Sequence, residues 1–186
     1  MQWTNTKNGY GGLSIALHWL AAIAIVVMLV TGFQADFAGD AGDRAKRAAL
    51  MGLHISFGAA VALILLARVF ASYAQPRPSA PEQAPVLKFL SNATHQVLLL
   101  AILVQVISGP LAVWSGGRPI NVFDVFSIPS PFAERNQGVH ELAELLHAIG
   151  RWTMVGALAL HVLGALKHAI IDRDSVMKRM LAPPKS

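Results

Sequence analysis

Cysteine is absent from all 186 residues. Its absence excludes a covalently attached c-type haem, which needs C-x-x-C-H, and any iron–sulfur cluster or zinc site held by thiolates. Charge is scarce as well. Asp, Glu, Lys and Arg make up 13% of the chain, against about 25% in soluble domains. The middles of the long apolar runs carry no carboxylate, which argues against a transporter built on buried acids. The net charge is +5, yet no basic stripe interleaved with aromatics runs along the chain, so nucleic acid is not an expected partner. Apolar side chains are abundant, at 54% of the total.

Those apolar residues fall into four stretches, roughly 13–36, 47–72, 86–114 and 139–171. Each can supply the ~20 residues that a spanning helix needs. The expected fold is therefore all-α, an integral membrane four-helix transmembrane bundle, with residues 1–186 forming one domain. The first stretch is read as a retained helix and not as a cleaved signal. Only Lys7 precedes it as a positive charge, and it contains His18 and Trp19. Residues 75–85 are too rich in proline to be helical throughout. Residues 115–138 hold three prolines in a run too apolar for a free loop, so this segment is expected to lie at the interface or fold back over the bundle. No tandem repeat stands out.

The basic residues set the orientation. Nine of the fifteen fall on the side of the termini and of the linker between helices two and three: Lys7, Arg68, Arg77, Lys88, Lys167, Arg173, Lys178, Arg179 and Lys185. Six fall on the other side. Both termini are therefore expected in the cytoplasm.

Histidine is costly inside a bilayer and marks a functional candidate. His147 and His161 lie 14 residues apart on the fourth stretch. They therefore share a face at about 21 Å separation for a rise of 1.5 Å per residue. His18 and His54 begin the first and second stretches. Given the orientation, His18 matches His161 in depth near the cytoplasm, and His54 matches His147 near the outer face. Each pair comes from two helices, as a haem ligated on both axial positions needs, and such ligation favours electron transfer over oxygen binding. Arg68 follows His54 by 14 residues and is a candidate partner for a haem propionate. Arg151 is a candidate contact for the outer cofactor. Glycines 32, 58, 109 and 156 permit close approach of a helix or a flat macrocycle. His168, one heptad past His161, suits a quinone carbonyl and proton exchange near neutral pH. His95 is a second, weaker candidate on that side. His140 is expected to be a solvated or capping residue.

The segments LSIALHWL at 13–20, H-x3-G at 54–58, Arg68 and LHAIGRWTMVGALALHVLGALKH at 146–168 resemble the bacterial, four-helix cytochrome b561 family. The similarity is greatest to its members described as superoxide oxidases. The resemblance implies two b-type haems, ligated by His18, His54, His147 and His161, and places His168 near ubiquinone. It implies electron transfer from superoxide, or another small reductant at the outer face, through the haems to ubiquinone. It also implies that the membrane is the bacterial cytoplasmic (inner) membrane. The outer loop matches poorly, so residues facing superoxide are not carried over. Two other functions stay open. One is a cytochrome b subunit linking a redox partner protein to the quinone pool. The other is a haem-free protein handling metal or protons through its histidines.

Overall fold

The structure, a computed structural model, describes residues 2–183. Lys185, counted in the charge asymmetry, lies outside them. Four long helices are present: α1 (Gly12–Asp40), α2 (Arg44–Ala74), α3 (Pro85–Ser115) and α4 (Gln137–Leu166). All are long and apolar enough to cross a membrane. Large apolar side chains project outward from them, with Leu63 78% and Phe70 74% exposed. Helices that are apolar all round are what a lipid surround demands.

Local chemistry sets the helix ends. The Asp43 side chain caps α2 by accepting from the Lys46 N–H at 3.0 Å. Asn136 does the same for α4 through Val139, at 3.1 Å. Pro85 opens α3 at a position where its missing N–H costs nothing. Between α1 and α2 the chain turns within three residues, with Gly42 in a left-handed conformation (φ 75°). α1 is longer than expected and continues past Asp36 to Asp40.

α1 packs chiefly on α2 and α3 on α4, so the bundle consists of two antiparallel hairpins. They meet along α2 and α3. α1 buries Ala21, Ala24, Gly32, Ala35 and Ala38, small residues that let helix backbones approach closely where apolar burial cannot drive packing. Leu65, Val69, Leu99, Ile102 and Met154 complete the central core.

The two ends of the bundle differ. At the loop face, residues 120–128 form a two-stranded antiparallel hairpin, β1 (Ile120–Val122) and β2 (Phe126–Ile128). It folds back onto α2, where the Ser56 hydroxyl donates to the Asn121 carbonyl at 3.0 Å and accepts from the Phe123 N–H at 3.1 Å. Its turn holds Phe123 and Asp124 at φ 48° and 57°, a geometry usually left to Asn-Gly. The Phe123 ring sits edge-on against Phe57 at 5.1 Å, a contact that offsets this strain.

At the terminal face, three polar segments are tied together. Asn5 bonds Gln75 and Pro76 of the linker, the Lys7 carbonyl accepts from Ser79 N–H, and Arg179 donates to the Ser79 carbonyl. Trp19 of α1 donates to the Met180 carbonyl at 2.7 Å. A Cβ on Gly11 would collide with the Trp3 carbonyl, so only glycine fits where this segment enters α1.

Candidate functional site

The structure brings the four spanning histidines together as two pairs. The rings of His54 (α2) and His147 (α4) have centroids 6.2 Å apart, nearly perpendicular at 84°. Those of His18 (α1) and His161 (α4) are 6.0 Å apart at 61°. An imidazole nitrogen binds a first-row metal at about 2 Å. Two such bonds, plus the nitrogen-to-centre distance in each ring, span about 6 Å, so each pair is spaced to hold one metal atom between its rings.

Hydrogen bonds prepare the loop-face pair for that role. The Thr31 hydroxyl donates to the Val27 carbonyl at 2.8 Å and lies 3.1 Å from His54 Nδ1. Its proton is committed, so the hydroxyl oxygen accepts from Nδ1–H. Ser108 repeats the arrangement: it donates to the Val104 carbonyl at 2.6 Å and lies 3.1 Å from His147 Nδ1. In both rings Nε2 is then left with its lone pair, the state a metal requires. Each hydroxyl is followed by a glycine packed against the same ring. A Cβ on Gly32 would lie 3.2 Å from His54 Cε1, and one on Gly109 would lie 3.3 Å from His147 Cε1.

These contacts expose a repeat that was not expected. Val27–Gly32 reads VMLVTG and Val104–Gly109 reads VQVISG. Fourteen residues before each glycine stands a histidine, His18 or His95. α2 and α4 continue the match, with His54 then Arg68 and His147 then His161 at the same spacing. The two helical hairpins are copies of one pattern, and Thr31 and Ser108 are its hydroxyl position. Aligning the hairpins on their glycines would have found both.

The terminal-face pair is bounded by rings. His18 packs edge-on against Trp19 at 5.3 Å, and His161 against His95 at 5.2 Å. His95 is thus drawn into the ligand layer, and its Nδ1 lies 2.7 Å from the Ser91 carbonyl, the acceptor for its N–H. Arg68 is half-buried and donates to Ser72 Oγ. A cavity of about 160 Å³ opens beside this pair, lined by His161, His95, His168, Thr94 and Leu160 among others. His168 therefore shares a cavity with a histidine of the pair.

Arg151, the candidate contact for the outer cofactor, keeps a buried Nε with no hydrogen-bond partner among the described residues. It forms an ion pair with Asp36 of α1 and lies over the Phe33 ring at 5.0 Å. The extension of α1 to Asp40 sets that carboxylate, expected at the very end of the first stretch, one turn inside a helix facing α4. His140 ties α4 to α3 through the Ala112 carbonyl at 2.9 Å and faces Glu144 at 3.4 Å. A Cβ on Gly58 would meet the end of Met28 at 3.1 Å, while Gly156 faces open space.

The sequence pattern of prokaryotic cytochrome b561 matches residues 9–183. The chain belongs to this family. Cytochrome b561 homolog 2 of Escherichia coli (strain K12) is 33% identical over 188 residues, covering 100% of this chain and 98% of the relative. The probable superoxide oxidase CybB of Yersinia pestis is 24% identical over 92% of this chain and 95% of its own length. A probable Ni/Fe-hydrogenase B-type cytochrome subunit of Bradyrhizobium diazoefficiens is 24% identical, over 89% of this chain and 80% of the relative. This cytochrome b561 is thus a membrane-embedded electron-transfer protein of a family that binds b-type haem.

Proposed function

We propose that this cytochrome b561 takes electrons from superoxide at the loop face and delivers them to ubiquinone at the terminal face. His54 and His147 would hold one b-type haem, and His18 and His161 a second. Bound there, the two haems supply one-electron carriers stacked across the membrane. Thr31 and Ser108 keep Nε2 of the loop-face ligands available, and Arg68 would neutralise a propionate. In balance, two superoxide anions leave as dioxygen, and one quinone takes up two electrons and two protons to become quinol. His168 supplies a proton to the quinone from the terminal side.

The observation that carries this reading is the cavity at the terminal face, where His168 lies beside a histidine of the metal-spaced pair. The similarity to the probable superoxide oxidase CybB supports the choice of donor. The excess of Lys and Arg at the terminal face supports a cytoplasmic location for both termini in a bacterial inner membrane. A second reading has its own support in the hydrogenase B-type cytochrome relative. In it the same pairs serve a partner protein that delivers electrons to the quinone pool.

A superoxide pulse to the purified, oxidised, haem-loaded protein tests the proposal by stopped-flow absorbance. Bands of the reduced state should rise at once and decay only when ubiquinone is present. A protein that ignores superoxide yet is reduced by dithionite would overturn the choice of donor and favour the partner-linked carrier.

A further inference from the structure

Past α4 the helix widens. Residues Lys167–Asp172 form a π-helical turn, which ends at Arg173 in the left-handed conformation (φ 52°). The π-turn ends the helix, and Arg173 just past it holds the left-handed conformation that helix ends usually leave to glycine. Together they reverse the chain so that Asp174 returns beside His168. Asp174 Oδ2 lies 2.7 Å from His168 Nδ1. Asp172 stands farther off, at 3.3 Å, and both its oxygens are engaged by Lys167 Nζ, at 2.6 and 2.8 Å. Asp174 is left as the carboxylate dedicated to the ring. Its other oxygen accepts from the Val176 N–H at 2.9 Å, which fixes the carboxylate plane. With Nδ1 held, Nε2 is the nitrogen available to the cavity that His168 lines together with Val176, His161 and His95.

We propose that Asp174 is the positioning residue for proton delivery to the quinone, orienting His168 through its Nδ1–H. This rests on the reading that the cavity takes a quinone. In the step, the His168 Nε2–H bond breaks and an O–H bond forms on a quinone carbonyl oxygen. The electrons are those drawn from the donor at the loop face. His168 keeps its Nδ1–H on Asp174 throughout and regains the lost proton from water at the terminal face. Asp174 lies just outside the spanning segments. Partial burial pushes its carboxyl up, but the Val176 N–H and the His168 ring outweigh that and hold it below the usual carboxylate range. The Arg179 charge of the short helix α5 (Val176–Arg179) acts in the same direction.

The test compares wild type, D174N, D174E and His168→Leu as haem-loaded proteins, with a superoxide pulse and a short-chain ubiquinone. In D174N the haem content and the reduction phase should match wild type. The quinone-dependent phase should slow by about tenfold or more, with little change in the KM for quinone. Its solvent deuterium isotope effect should rise, because proton transfer becomes limiting. D174E should recover most of the rate. If D174N reoxidises at the wild-type rate while His168→Leu is slow, Asp174 has no such role and the quinone reading stands. If His168→Leu is also normal, the quinone reading of this cavity fails, and the inference fails with it. Loss of haem in D174N would overturn a role confined to proton delivery.

Discussion

The two histidine pairs have nearly the same ring spacing, 6.2 and 6.0 Å, but they are held in different ways. At the loop face each ring has its own hydroxyl and its own glycine, supplied by equivalent positions of the two hairpins. The pair is symmetric, tightly seated and fixed in tautomer. At the terminal face the repeat breaks. His18 and His161 form the pair, while their equivalents in the repeat are His95 and Arg68. A duplicated helical hairpin gives a symmetric site wherever both copies keep the same residue. Both copies keep histidine at 18 and 95 but diverge at 161 and 68, so one kept imidazole, His95, is left over beside the cavity and Arg68 supplies a cation in place of a second pair. The lower symmetry coincides with the end where electrons are proposed to leave the protein.

Ligand removal probes this contrast with the largest effect. His54→Ala or His147→Ala should each lower haem content from about two to about one per chain, since a haem of this type needs both axial histidines. His18→Ala or His161→Ala should remove the other haem. Pyridine haemochrome assays on purified protein would check this, and retention of full haem by any one of the four would break the pairing.

The hydroxyls come next. Thr31→Val and Ser108→Ala should weaken haem retention at the loop face by about 10- to 100-fold each, the usual cost of losing a hydrogen-bond partner behind a metal ligand. Haem-transfer titrations to a competing apoprotein would measure it. Equal loss at the terminal face would mean that these hydroxyls act on the bundle as a whole. Gly109→Ala should do less. Its added methyl lies 3.3 Å from the His147 ring, so the ring must shift by tenths of an ångström. The expected result is full haem content with an altered electron paramagnetic resonance signal from one haem. The smallest effect is expected of His95→Leu, which should keep both haems. Loss of the terminal-face haem in that variant would make His95, and not His18, the partner of His161.

Much of this arrangement was legible in the sequence. The spans stood out because an apolar run of about twenty residues matches the thickness of a bilayer and has little use in water. The four histidines stood out because fourteen residues is nearly four helical turns and because imidazoles are costly in lipid. Thr31 and Ser108 were hidden by the same physics. A hydroxyl in an apolar helix ordinarily bonds its own preceding turn, and only the tertiary structure shows that its oxygen also serves a histidine. Asp36 stood at the end of the first stretch because nothing local foretold four more helical residues. Asp174 looked like a tail residue, because a π-turn leaves no hydropathic signature and a left-handed arginine is not something sequence advertises. The family resemblance reached His168 but said nothing of the carboxylate behind it.

The tie between Trp19 and Met180 has a consequence for the order in which the protein matures. All four spanning histidines precede residue 162 in the chain, whereas the contacts that finish the terminal-face floor come from residues beyond it. Val176, which lines the cavity, and Met180, which clasps the first helix, emerge later. The terminal-face cavity is thus complete only when the last stretch of the chain has docked back onto the first helix.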